Sequence, residues 1–207
     1  MARKVNHKPT QVLRTAAKLF ETRGYQGTSM DDVADGVGLN KGTIYHYFPS
    51  KAAILFEIYS TAQELVLAAI GEIGPDRSPD QALGELIRSQ LRALASYPSE
   101  TAVYFQEMRW ISEWMDAEQL ATIREREAVF NDFVIGLVQR GMDDGMFAEN
   151  DPKLVAFGLI GVFAWSYHWY DPKGRYTPDE IADIFIEMLL DGLRRPATSP
   201  EPVEFSR

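Results

Sequence analysis

The chain has 207 residues, 45% of them hydrophobic, and a formal net charge of −9; that suits one large domain, or a small domain joined to a larger one. It contains no cysteine, which excludes a disulfide framework, a thiolate metal site and a cysteine nucleophile. Residues 1–51 hold eight basic side chains against four acidic ones, a balance of +4, so the remainder carries −13; such asymmetry marks a head that meets nucleic acid on a solvated regulatory body.

The first eight residues, Met1 to Lys8, are basic with no apolar run behind them, so no signal peptide is expected. Leu13, Ala16, Ala17 and Phe20 form a first helical stripe, closed by Gly24 in the position of a left-handed cap. Met30, Val33, Ala34 and Val37 form a second, opened by Ser29 with Asp32 three residues on as a capping box. Gly36 and Gly38 read as breaks, and Asn40 as the cap of a short third helix with Leu39 and Ile44 stapled across it. After Pro49-Ser50 a long fourth helix runs to Gly74-Pro75, and a fifth begins at Ser78-Pro79-Asp80.

Pro98 opens an aromatic-rich stretch, followed by a long helix from about Glu118 to Met146. Asp151-Pro152 starts a segment, Leu154 to Trp165, that is apolar on every face and is expected to be buried all round. Its twelve residues fall short of the roughly 20 that a membrane span needs, so no membrane is an expected partner and the cytoplasm is the expected location. Thr177-Pro178-Asp179-Glu180 caps a last helix, and the proline-rich residues 196–207 read as a disordered tail. The expectation is an all-α fold of about nine helices: a helix-turn-helix head over 1–51, a ligand-binding and dimerisation body over 52–195, and the tail.

Two short helices joined by a glycine-containing turn are what a helix-turn-helix requires, the second helix entering the major groove of DNA. Ile44 and Phe48 lie four apart and face inward, which leaves Lys41, Thr43, Tyr45 and His46 outward, with Gly42 permitting close backbone approach. Lys51 sits in the first turn of the fourth helix, unfavourable toward the helix dipole unless a phosphate is bound there. The run Gly38-Leu39-Asn40-Lys41-Gly42-Thr43-Ile44-Tyr45-His46-Tyr47-Phe48, with Ser50-Lys51 after it and Thr28-Ser29-Met30-Asp31-Asp32-Val33-Ala34 before it, resembles the DNA-binding region of the tetracycline-repressor (TetR) family. The likeness covers about Thr10 to Leu55; Ala52-Ala53 depart from it where the family often has acidic residues.

The resemblance implies a ligand-responsive repressor that binds a palindromic double-stranded operator as a homodimer through its last two helices. It implies phosphate contacts from Thr28, Ser29, Tyr47 and Lys51, with Lys41, Gly42, Thr43, Tyr45 and His46 toward the groove. For the body, Tyr104, Phe105, Met108, Phe130, Phe133, Trp165 and Trp169 are expected to wall an apolar effector pocket, with Arg109 and His168 as polar groups; an ordinary core is the competing reading. The stretch His168 to Gly174, with Thr177 to Ile181, resembles regulators of fatty-acid and steroid catabolism that answer to acyl-coenzyme A thioesters, although an acidic body is poorly suited to a polyanion. A drug-like or aromatic effector, or an unrecognised helical enzyme, are the alternatives. The three histidines, His7, His46 and His168, show no zinc-type spacing and no nucleotide or hydrolase motif occurs, so no metal, cofactor or catalysis is expected.

Overall fold

The computed structural model describes residues 8–74 and 76–194; the disorder expected for 196–207 concerns residues outside that range. Helix α1 (Lys8–Arg23) ends where the Gly24 amide bonds the Phe20 carbonyl at 2.9 Å with φ +75°, a backbone region that glycine adopts without strain. Helix α2 (Met30–Val37) opens on a reciprocal capping box between Ser29 and Asp32 and closes on Gly38 at φ +71°. Helix α3 (Lys41–Tyr47) is capped by Asn40, whose Oδ1 accepts the Thr43 amide at 2.8 Å. Gly36 does not break the chain as expected. It lies inside α2, where a Cβ would stand 2.8 Å from Thr15 Cγ2, so its missing side chain lets α2 rest on α1.

Helix α4 (Lys51–Glu72), capped by Ser50, is 22 residues long, and by length and composition alone could cross a membrane, an aspect that the sequence reading missed. It packs instead against α1, α5 (Pro79–Ser96), α6 (Pro98–Glu107) and α8 (Ala117–Asp143), which makes it a core helix. The aromatic stretch forms both α6 and a one-turn helix α7 (Ile111–Trp114), so ten α-helices are present among the described residues. Helix α9 (Pro152–Ala164) continues into a 3₁₀ turn (Trp165–His168), and α10 (Pro178–Leu193) follows behind a Thr177–Glu180 capping box.

The core of the head does not stop at the head. Val12, Phe20, Ile44 and Phe48 share one buried cluster with Ile58 and Tyr59 of α4, Val103 of α6 and Ile123 of α8. A second cluster joins α5, α8, α9 and α10 around Leu86, Val138, Phe147 and Leu159. Two ion pairs, Arg92–Asp179 and Arg88–Asp183, fasten one flank of α10 to α5.

The expectation that α9 is buried all round is corrected: Ala156, Leu159 and Phe163 point inward, but Leu154 is 68% exposed and Trp165 59%, with Phe157 also open. A helix apolar on every face needs cover on every face, and a single chain covers only one. On α10, Ile184 and Met188, four residues apart, are likewise exposed.

Two glycines of α8 test this packing with opposite signs. At Gly141 a Cβ would stand 2.1 Å from the Phe147 ring, whereas at Gly136 it would meet nothing. Gly136→Ala should stabilise by up to about 1 kcal/mol through helix propensity, while Gly141→Ala should destabilise by about 1–3 kcal/mol through overpacking. Thermal melting of both variants checks the pair.

Candidate DNA-binding face and ligand cavity

Helix α3 displays Lys41, Gly42, Tyr45 and His46 to solvent, with Tyr45 44% exposed, while Ile44 is fully buried beneath them. Several polar groups of this face already hold one another. The Lys41 ammonium lies 2.8 Å from Asp31 of α2, and the Thr43 hydroxyl donates to Asn40 Oδ1 at 2.8 Å. The Ser29 hydroxyl donates to Asp32, whose carboxyl is held below the usual range first by those bonds from Ser29 and also by Arg23, 3.1 Å away. Exposed pairs of this kind are weak and exchangeable, so the face is ordered yet free to trade its partners for phosphates. Tyr47 is half-buried, its ring edge-on to His46 at 5.4 Å. Beside this face, Arg14, Lys18 and Arg23 of α1 line a shallow groove that runs to Gly36; the charge count includes these three cations, but the expected contact set does not.

Thr28 and Lys51 sit differently from the rest. The Thr28 side chain is buried and its hydroxyl donates to the carbonyls of Gly24 and Leu19 at 3.0 and 3.3 Å. The Lys51 ammonium donates to the carbonyls of Tyr25 and Thr28, both at 2.7 Å, and stands 4.2 Å over the Tyr25 ring. Burial pulls the Lys51 pKa down, and the nearby carboxylates of Glu107 and Asp32 oppose that shift. Both side chains therefore brace the turn between α1 and α2 from behind. The unfavourable dipole position of Lys51 is answered by two carbonyl oxygens.

The same turn is tied to the body. The buried Tyr25 amide donates to Glu107 Oε1 at the end of α6, 2.9 Å away, and the Tyr25 ring packs on Trp114 with centroids 4.4 Å apart. At the other end of α6, the Ser99 hydroxyl donates to Glu21 of α1 at 2.7 Å. Helix α6 is thus held at one end by α1 and at the other by the turn that follows α1.

Behind α6 lies a cavity of about 290 Å³ between α4, α5, α8 and α9. Of the side chains expected there, Tyr104, Phe105, Met108 and Phe130 line it. Arg109, Phe133, Trp165, His168 and Trp169 do not. Phe133 packs into the second core cluster, and Arg109 is exposed near the Trp110 ring. The 3₁₀ turn after α9 swings Trp165 and His168 outward, their rings tilted against each other with centroids 4.8 Å apart, and sends the fully buried Ser166 inward. Trp169 is 48% exposed against Phe185. The remaining wall includes Gln63 and Val66 of α4, Gln90 and Leu94 of α5, and Arg126, Glu127 and Asn131 of α8. On that wall the Tyr104 hydroxyl donates to Glu127 at 2.9 Å, and from the core behind it the Tyr59 hydroxyl donates to the Tyr104 carbonyl at 2.8 Å. Burial, with Glu127 nearby, drives both phenols well above their ordinary pKa.

The family model for bacterial regulatory proteins of the tetR family matches residues 12–58, and that for the tetracyclin repressor-like C-terminal domain matches 76–193. The HTH-type transcriptional repressor KstR2 of Rhodococcus jostii (strain RHA1) is 29% identical over 189 residues, 90% of this chain and 91% of the relative. The solved ketosteroid transcriptional regulator KstR2 of Mycobacterium tuberculosis shares the fold at a TM-score of 0.85 and 23% identity, covering 94% of this chain and 98% of its own. AibR, solved in complex with isovaleryl coenzyme A and operator DNA, superposes at a TM-score of 0.73 with 28% identity over 88% of this chain and 98% of its own.

If Lys51 braces the turn, Lys51→Met removes two charge-assisted bonds to buried carbonyls and should cost about 2–4 kcal/mol, whereas the exposed Tyr45→Ala should leave melting unchanged. Denaturant unfolding of the two proteins separates a brace from a surface contact.

Proposed function

This chain belongs to the TetR family of bacterial transcriptional regulators, and on that footing we propose that it is a repressor that holds a near-palindromic operator as a homodimer and releases it when a small apolar effector fills the cavity behind α6. The observation that carries the reading is the shared use of α6: Tyr104, Phe105 and Met108 wall the cavity, and Glu107 of the same helix holds the Tyr25 amide of the head. A ligand that displaces those walls moves the residue that positions the turn. It then shifts population toward heads wrongly placed for DNA, and DNA reciprocally weakens the ligand. Helix α4, which runs from the head into the cavity wall, adds a second mechanical link.

Lys41, Gly42, Thr43, Tyr45 and His46 read the major groove, and Ser29 and Tyr47 take phosphates, with Arg14, Lys18 and Arg23 adding charge beside them. Thr28 and Lys51 serve that face from behind. Two heads must sit about one DNA turn, roughly 34–36 Å, apart, and the exposed stripes of α9 (Leu154, Phe157, with Trp165 just past its end) and α10 (Ile184, Met188) are the surfaces that join two chains. The AibR complex with isovaleryl coenzyme A supports an acyl-coenzyme A thioester as the effector class. A regulator of chromosomal genes works in the cytoplasm.

Fluorescence anisotropy on DNA from upstream of the protein's own gene, across a salt series, tests the reading. Binding should prefer that DNA to a scrambled duplex and weaken with salt; equal binding to both, followed by an empty genome-wide selection, refutes it. Tyr45→Ala should lower operator affinity at least about tenfold, the worth of one good base contact, with helicity and dimer mass unchanged. Leu154→Glu places a charge on the apolar stripe; light scattering should then give a monomer mass, with operator affinity lost alongside it.

A further inference from the structure

The cavity wall is apolar except for a few side chains, and three of those carry a buried atom without a partner: Gln63 Oε1, Gln90 Nε2 and Arg126 Nη1. Two of the three are held by their other end. Gln63 is 5% exposed and donates through Nε2 to the Ile123 carbonyl at 3.0 Å, while Arg126 Nη2 reaches Glu64 at 3.4 Å. Tyr104 and Glu127, the other polar pair of the wall, satisfy each other. Folded proteins rarely leave buried polar atoms unmatched, and where several gather at one cavity a ligand is the natural complement. What these atoms ask for is specific. Two are donors, one of them cationic, and the third is an acceptor.

We infer that the cavity recognises an apolar molecule through a carbonyl or carboxylate oxygen received by Arg126 and Gln90. This rests on reading the cavity as the effector site. Gln63 Oε1 is left to accept from a ligand hydroxyl or amide where one is present. Free acids and thioesters share the required oxygen; a cavity of about 290 Å³ holds the apolar body, so in a thioester the carrier lies outside it. An alcohol with the same body offers a guanidinium only a single uncharged hydroxyl oxygen, a weaker acceptor than a carboxylate, and is the proper control.

The experiment is calorimetric titration of the full chain with two bodies, octyl and 2-naphthyl, each as the free acid, the coenzyme A thioester and the primary alcohol. For at least one body the acid or the thioester should bind at least about tenfold more tightly than the alcohol, and the tighter of the two identifies the source of the oxygen. Arg126→Gln should cancel that preference, and Gln90→Leu should reduce it; the second variant keeps the test intact if the first does not fold. Equal binding of all three head groups, or a preference that survives both substitutions, overturns the inference while leaving an apolar effector in place. Binding of none of the six overturns it as well, and anisotropy of the same preparation on operator DNA then shows whether the repressor reading stands without it.

Discussion

One hydrogen bond ties the two halves of this molecule into a single object: the Tyr25 amide given to the buried carboxylate of Glu107. A backbone donor taken out of water must find an acceptor, and here the acceptor is eighty-two residues away, on a helix that belongs to the body. The turn between α1 and α2 is therefore shaped by α6 as much as by its own sequence. The continuous core from Val12 through Tyr59 to Ile123 enforces the same dependence by packing. A reading head of three short helices could fold as a separate bead on a linker; this one shares its interior with the body.

The outward face of the head is held in place by weak bonds, and that serves its role. The ion pair between Lys41 and Asp31 and the hydroxyl of Thr43 on Asn40 fix rotamers in the free protein, yet each is exposed enough to be given up for a stronger partner. Beneath them the bonds are of another kind. Thr28 and Lys51 meet carbonyls away from solvent, where an unmade bond carries a full desolvation penalty. The surface is thus adaptable, and the frame under it is stiff.

Local chemistry explains which of these features could be read from the chain. Ser29, Asn40, Asp151 and Thr177 announce helix starts because capping acts within three or four residues, and the structure shows each one accepting from the backbone amides it was expected to cap. The cavity was only half legible. Aromatic residues drew attention to Trp165, His168 and Trp169, but whether a tryptophan faces in or out there depends on a 3₁₀ turn that nothing local dictates. The better signal was polar. Gln63 stands four residues after Tyr59, Gln90 three after Ile87, and Arg126 three after Ile123, each on a stripe that is otherwise buried. A polar side chain on an apolar stripe either finds a partner or lines a hole, and aromatic counting passes over it. The carbonyl partners of Lys51 were hidden for a related reason: they lie 23 and 26 residues back in sequence.

The open stripe along α9, from Leu154 to Trp165, reaches beyond the question of how two chains meet. A fold whose apolar surface is covered only by its own copy has a stability set by abundance, through mass action. Under the proposed pairing, the isolated chain at low copy number is the form that unfolds, sticks or is degraded first; at higher copy number it shelters in pairs. With the operator held by a pair, as proposed, its occupancy rises with roughly the square of chain concentration while most chains are single. Silencing would then switch on over a narrow range of expression, a threshold that arises from a few uncovered side chains with no further component.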